Sequence, residues 1–578
     1  MKKIICILLS VLMLLSFASC GELTTESTDP SSIISEPSPE IKATPSPLPE
    51  IPEESVEILN LAEYTIVYPQ DYSAWQMNEI YILRDVIKHI TGKEIDIIPD
   101  SAPQREKEII FAGANRSTLL DEHINALESR LDYIIAVADN DIILGGLDYF
   151  GGMRAAYDFI NNYLGYDDIE DVYSAPKDKI TGVNKYIYEE PDFTIMCGNF
   201  YKTPYTDIRF IKDVYDAHFN LFMIGNNQYD EESFQNVMNW CVRYNLRVIL
   251  PVKVDENACT FELPFYDIYE DYPNIWGHYL RDEPMINVMH IYSEIADQYK
   301  EKYSEKGWKA LVNHLGNHTP AQLYINETDG LFDSVDVVAF DYYFAMGNRD
   351  YHENELNVRP DDSILHIWEI FHDTAVQKDQ EFWSYIMAFY LDDYNTSKML
   401  RWSSYISMCF GVDAILYFNY QTWVVDNKFN KLEHWYNAEK ANAEIAFVGE
   451  TLCDNYNYVG TYTINKSAND HFIYLEDFYC GFDDVITDFV IPQNSITPYL
   501  VGCYDKKDGD GNAFLLVNME ELDYVPYDET TAEPIKIKIN GENVKFYREG
   551  ELKEVEKDAD GYYILEVGNG HCWFVTVD

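Results

Sequence analysis

Positive charge is scarce in this chain: 42 Lys and Arg stand against 99 Asp and Glu, a formal net charge of −57 at pH 7. Such a surface repels phosphate backbones and anionic headgroups, which excludes nucleic acid and anionic membrane surfaces as partners. Strongly anionic polysaccharides are disfavoured for the same reason, whereas neutral or amino sugars fit. Cysteine supplies no framework either. Beyond Cys6 and Cys20, the other cysteines (Cys197, Cys241, Cys259, Cys409, Cys453, Cys480, Cys503 and Cys572) form no CxxC or metal-ligand spacing. Neither a zinc site nor a disulfide scaffold is indicated. Gly145, Gly146, Gly151 and Gly152 cluster without a GxGxxG or GxxxxGK pattern, so a phosphate-binding loop is missing as well. After the N-terminus no apolar run is long enough to span a bilayer.

What is present begins with an export signal. Lys2 and Lys3 precede an apolar run from Ile4 to Leu15, followed by Phe17-Ala18-Ser19-Cys20. Small residues directly before a cysteine resemble the bacterial lipobox, which implies lipidation at Cys20 and anchoring at the cell surface by the lipid alone. Residues 21–55 are rich in Ser, Thr, Pro and Glu and nearly free of aromatics, the composition of a semi-extended spacer.

Three folded parts follow. Residues 56–185 read as a small α/β unit, with strands at 64–69 and 108–113 and a hairpin at 133–146 turning at Asn140. Helices are predicted over 78–91, stopped by Gly92, and over 153–164, stopped by Gly165. From 190 to 450 a strand and helix rhythm repeats eight times. Its strands are read at 193–199, 221–226, 247–252, 275–284, 309–315, 336–344, 382–389 and 414–420. Near-continuous apolar runs suit parallel strands covered on both faces. The count and span predict a (β/α)8 TIM barrel; an open doubly wound sheet competes, but nothing marks a switch point. Residues 455–578 read as short alternating strands with polar turns, an all-β sandwich. Asp505, Asp508 and Asp510 lack the Gly and distal Glu of a calcium loop and are read as a hairpin turn.

The chemistry concentrates where the fourth barrel strand ends, in IWGHYLRDEP (275–284). An acid before Pro can cap a helix, which explains one carboxylate but not two. Adjacent acids closing a barrel strand point to acid/base work. Glu283 is the predicted general acid/base, its pKa expected to rise among Trp276, Tyr279 and other apolar groups. The second carboxylate is Asp282 or Asp341. Asp341 ends the sixth strand at a separation suited to an inverting mechanism, and is equally read as a sugar ligand or a partner of Arg281. Strand seven, FWSYIMAFY, carries no acid. Candidate substrate contacts at the strand ends are Asn199, Tyr201, Asn226, His278, Arg281, Asn313, Tyr343, Tyr390, Tyr420 and Trp423, since sugars need aromatic faces and polar edges.

These motifs resemble a little-characterised group of bacterial glycoside-hydrolase-like barrels. The match rests on WGHYLRDEP, VVAFDYYF, EFWSYIMAF and MLRWSSYISMCFGVDAILYFNYQTW, with Phe344 where that group has Pro. The first unit resembles the accessory domain of hexosaminidases and α-glucuronidases, chiefly in IILGGLDYFGGMRAAYDFINNYLG. The resemblance implies a surface glycoside hydrolase without cofactor or metal. By analogy with substrate-assisted hexosaminidases, Asp282 would orient a 2-acetamido group. A non-catalytic glycan-capture lipoprotein is the alternative.

Overall fold

The computed structural model describes residues 54–116, 120–198, 207–225, 229–315, 333–341, 362–388, 397–420, 424–426, 430–465, 482, 484–493, 495, 497–519, 534–568 and 572–578. The export signal, Cys20 and the spacer lie outside them. No helix among the described residues is long and apolar enough to cross a membrane.

The first unit is a six-stranded mixed sheet. Its strands are β1 (Thr65–Tyr68), β2 (Ile97–Pro99), β3 (Glu108–Phe111), β4 (Tyr133–Ala138), β5 (Asp141–Gly146) and β6 (Val183–Tyr186), in spatial order β6-β4-β5-β3-β1-β2. The β4–β5 hairpin closes at Ala138 and Asp141 through Asp139 and Asn140, both at positive φ (52° and 67°). That pair of left-handed residues fits the twist of the flanking strands. Helix α1 (Asn78–Thr91) buries Ile80, Leu83, Val86 and Ile87 and stops at Gly92, whose φ of 72° only glycine adopts freely. Helix α2 (Tyr149–Asp158) starts four residues before the predicted Met153. Asp148 caps it by accepting from the Phe150 N–H at 2.9 Å, and a π-turn over Phe159–Tyr163 continues it.

The central unit is a closed parallel barrel of eight strands, in order β7 (Thr194–Cys197), β8 (Leu221–Met223), β9 (Arg247–Pro251), β10 (Ile275–Asp282), β11 (Lys309–Leu315), β12 (Val337–Asp341), β13 (Glu381–Met387) and β14 (Ala414–Phe418). β14 pairs back onto β7 and closes the ring. The described outer helices are α3 (Ile208–Asp216), α4 (Glu231–Arg243), α5 (Met289–Tyr303), α6 (Asp362–Lys378), α7 (Ser397–Cys409) and α8 (Glu433–Asn455). One expected crossover helix is replaced. Between β9 and β10 the chain makes a small hairpin (Lys253–Asp255 with Thr260–Glu262) and a single turn, Tyr266–Tyr269.

α8 runs directly into the third unit through β15 (Tyr456–Ile464). The remaining strands are β16 (Ile486–Val490), β17 (Tyr499–Lys506), β18 (Asn512–Asn518), β19 (Pro534–Ile539), β20 (Val544–Arg548), β21 (Glu551–Lys553), β22 (Tyr563–Glu566) and β23 (Cys572–Val577). They form a six-stranded sheet, β15-β17-β18-β23-β20-β21, and a three-stranded one, β16-β19-β22. Val501, Phe514, Leu516, Ile535, Ile537 and Val575 pack between the two as a sandwich core. Asp505, Asp508 and Asp510 sit on the β17–β18 hairpin, which pairs Asp505 with Asn512. A strand read over 472–478 lies outside the described residues.

Candidate active site

Two irregularities in β10 decide which side chains enter the barrel. One slip in register separates its pairings with Val248 and Ile249, and a second falls between Tyr279 and Arg281 against β11. In a regular strand Tyr279 and Arg281 share a face and Asp282 takes the other. The inserted Leu280 reverses this. Tyr279 reaches Tyr385 on β13, three strands away, so it points across the interior. It also donates to Asp282 Oδ1 at 2.8 Å, so Asp282 points inward as well. Arg281 is turned outward, 3.6 Å from Glu256 and over the Tyr292 ring of α5 at 5.5 Å. Among the described residues its partner is Glu256.

Asn313 ties the two acids together. Its Nδ2 donates to Asp282 Oδ1 at 2.9 Å, and its main-chain carbonyl accepts the Glu283 N–H at 2.9 Å. Asn313 is fully buried, which makes it a brace rather than an exposed sugar contact. Tyr385 stands beside the Tyr279 hydroxyl, whose proton goes to Asp282. Burial, with Tyr385 and Asp282 beside it, pushes the Tyr279 hydroxyl far above its ordinary pKa and keeps it a donor. Two donors on one oxygen fix the carboxylate plane. Among the described residues Asp282 Oδ2 takes no hydrogen bond, and the residue is exposed.

Glu283 is half-buried and has φ +42°, in front of the buried Pro284. A non-glycine residue held there, before proline, costs on the order of 1–3 kcal/mol, and such strain gathers at functional positions. Neither acid caps the helix that follows: α5 begins at Met289 with Val288 as an unassisted N-cap, and the preceding short turn lacks a side-chain cap too. Helix capping therefore does not account for the pair.

Several expected contacts fall elsewhere. His278 is fully buried on the helix side of β10, bonded to Tyr269 at 2.8 Å and to Tyr299 of α5 at 2.6 Å. Burial drives its pKa to about 3, so it is a neutral packing residue and not a sugar ligand. Tyr420 is likewise buried, edge-on to Phe210 and Phe219 at 5.5 and 5.4 Å, behind the barrel. Trp276 lies at the opposite end of β10 from Glu283, 4.7 Å from Trp383, and is no part of its surroundings. Asp341 ends β12 opposite Leu315; its side chain lies outside the described residues. Asn199, Tyr201, Asn226, Tyr343, Tyr390 and Trp423 also lie outside them. Tyr385 escaped sequence reasoning, which searched strand seven for a carboxylate. The alternation of Trp383 and Tyr385 at i and i+2 was the available signal.

A cavity of about 600 Å³ occupies the other mouth of the barrel, lined by Arg247, Trp276, Lys309, Glu381 and Asp413. Those residues open or precede their strands, the end that stabilises a barrel rather than the end that hosts chemistry. Asp192, Glu450 and Asp454 gather near the same end, with carboxylate oxygens within 4.8 Å of one another.

Fold and rim together define a TIM-barrel protein with two adjacent acids on its C-terminal face, one of them with a braced carboxylate. No protein-family model matches the sequence, and no curated protein does. Among solved structures it is similar to a glycoside hydrolase family 30 subfamily 8 xylanase from Clostridium acetobutylicum (12% identity, 67% of this chain and 96% of that one, TM-score 0.37). It is also similar to an endo-β-1,4-mannanase from Thermotoga petrophila (10%, 65% and 91%, TM-score 0.32). A truncated 3-deoxy-D-arabino-heptulosonate 7-phosphate synthase from Thermotoga maritima matches as well (10%, 45% and 88%, TM-score 0.29). The fold assignment rests on the closed ring of strands itself.

Proposed function

We propose that this protein is a glycoside hydrolase acting on neutral or 2-acetamido glycans outside the cell. The supporting observation is the brace of Tyr279 and Asn313 on Asp282, which turns that carboxylate inward beside Glu283. Glu283 donates its proton to the glycosidic oxygen as the bond to the anomeric carbon breaks. Asp282, with one oxygen fixed and one open, accepts the N–H of a substrate acetamido group. The acetamido carbonyl oxygen then attacks the anomeric carbon, and water, deprotonated by Glu283, opens the resulting ring. This route needs no carboxylate on β13; Asp341 as base for a direct water attack is the competing assignment. A lipid on Cys20 and the spacer to residue 55 hold the enzyme at the cell surface.

Glu283→Gln tests the reading: turnover of an unactivated oligosaccharide should fall by about 10²–10⁴-fold while the folded state persists. Native-rate turnover by that variant would overturn it. The lack of an acid in the strand-seven sequence FWSYIMAFY favours a second reading, glycan capture without cleavage. Mass spectrometry of glycans incubated with the protein separates the two, since capture leaves no new reducing ends.

A further inference from the structure

A cavity of about 610 Å³ lies along the outer flank of α4, where that helix faces the start of α1. Its volume falls within the roughly 300–1,000 Å³ usual for small-molecule sites. Its lining is chemically specific. Trp75 and Trp240 are each half-buried and line the cavity, and Trp75 is fixed by edge contact with Tyr149 at 5.0 Å. Asn236 and Glu232 stand one and two turns before Trp240 on the same stripe of α4, while Asn78 and Glu79 open α1 on the facing side. No Lys, Arg or His is among the described lining residues. Arg243 lies behind the wall, its guanidinium 3.8 Å from the Tyr157 ring centroid and its nitrogens paired with Asp168. Glu79, 3% exposed, accepts from the Tyr149 and Tyr157 hydroxyls at 2.9 and 3.3 Å, so its carboxylate is held in place.

We propose that this cleft is a second, non-catalytic carbohydrate site that takes a 2-amino pyranose unit, with the sugar ring on the tryptophans and its ammonium toward Glu232. Each requirement of such a ligand has its counterpart. The flat C–H face of a pyranose stacks on an indole, and a neighbouring ammonium adds attraction to the ring. Hydroxyl edges need both donors and acceptors, which the amides of Asn78 and Asn236 supply. A lining with acids and no basic side chain rejects uronic, sulfated and phosphorylated sugars by like-charge repulsion and desolvation. The chain's charge of −57 draws a cationic saccharide toward the surface. The first turn of α4, which follows β8, lies at the same end of the barrel as Glu283. A glycan held in the cleft therefore starts near the rim. This site requires no turnover and stands or falls independently of the reaction assigned to the barrel.

Isothermal titration of the whole chain with a glucosamine trimer tests it. Trp240→Ala should weaken binding by about tenfold or more, and Asp282→Asn at the barrel rim should leave it in place. Glu232→Lys, an exposed helix position where a lysine is readily accommodated, should weaken it too while a trigalacturonate gains. The proposal is overturned if the unmodified protein does not bind the glucosamine trimer, or binds trigalacturonate as tightly. It is equally overturned if Asp282→Asn abolishes the binding while both Trp240→Ala and Glu232→Lys leave it intact.

Discussion

Asn313 does two jobs with two different parts of one residue, and this allows them to be separated. Its main-chain carbonyl holds the Glu283 N–H and its side chain holds Asp282 Oδ1. Asn313→Ala spares the first bond and deletes the second, so it should lower kcat by about 10²-fold through misplacement of Asp282 alone. Because both substitutions then act through one carboxylate, Asn313→Ala with Asp282→Asn should be no slower than Asp282→Asn by itself. Additive losses in steady-state kinetics would refute the brace. Glu79 offers a prediction in pH. Burial raises its carboxyl from the usual 4.5 to about 7, against the pull of its own backbone N–H, Tyr149, Tyr157 and Arg243. Between those values the folded chain keeps a proton that the unfolded chain has released, so the contribution of Glu79 to stability falls as pH rises from about 4.5 to about 7 and is level above. Glu79→Gln removes this dependence. The variant should gain on the native protein by on the order of 3 kcal/mol between pH 4.5 and pH 8, read as a changing difference in Tm. A difference that stays constant across that range refutes it. His278 and His314, both held near a pKa of 3 by burial, work in the opposite sense in both proteins. They favour the folded chain at neutral pH and withdraw that support as pH falls below about 6.5. The acid pair was legible in the sequence because two carboxylates closing an apolar run have few structural uses. The direction of each neighbour was not legible, because one inserted residue in β10 reverses the alternation from which direction is inferred.

At the scale of elements, α7 is the unusual one. Every residue from Met399 to Cys409 is buried, as expected only of a helix covered on all sides. The barrel lies on one flank, α8 on another, and the β-sandwich covers the third. Trp402 Nε1 donates to the Asn518 carbonyl at 2.9 Å, Thr461 Oγ1 to the Cys409 carbonyl at 2.5 Å, and the Tyr504 hydroxyl to the Met408 carbonyl. Gly502 of β17 meets α7 so closely that a Cβ there would stand 2.5 Å from the Cys409 Cα. Within this contact Arg401 pairs with Glu444 of α8, whose other oxygen accepts from Tyr405 at 2.7 Å. Removing one partner of a buried pair strands the other charge. Arg401→Met should therefore destabilise by about 3–5 kcal/mol, and adding Glu444→Met should return most of that loss. Denaturant titration checks the pair of values; equal destabilisation by the single and double variants would count against a coupled pair. The strands of the barrel were legible because burial on both faces writes them as apolar runs of the right length and spacing. What replaces the helix between β9 and β10 was not, since a short hairpin and one turn there carry neither period strongly. The early start of α2 was missed because Gly151 and Gly152, poor helix formers, separate Tyr149 and Phe150 from the helical pattern that resumes at Met153.

The three folded parts are not beads on a string. Tyr149, Phe150, Met153 and Tyr157 of the first unit belong to the same buried cluster as the barrel interior and its helices. So do Leu500, Tyr504, Leu515, Val517 and Phe574 of the sandwich. Interfaces between domains of one chain are commonly polar and of modest area, which lets the domains move and melt separately. Here the contact is apolar, and α8 passes into β15 without a linker. Unfolding the sandwich would expose α7 over its whole length, so the free energy of the barrel depends on the sandwich staying folded. Calorimetry of the full chain should accordingly give one cooperative transition, with the calorimetric enthalpy equal to the van't Hoff value. Ending the chain at Asn455 should leave an aggregating product, because the α7 surface that meets β17 and β18 would face water as a large apolar patch. A soluble, folded barrel from that truncation, or two well-separated calorimetric transitions, would mean that the shared cluster is a contact between independent bodies. In that case the strain at Glu283 would have to be sustained by the barrel alone.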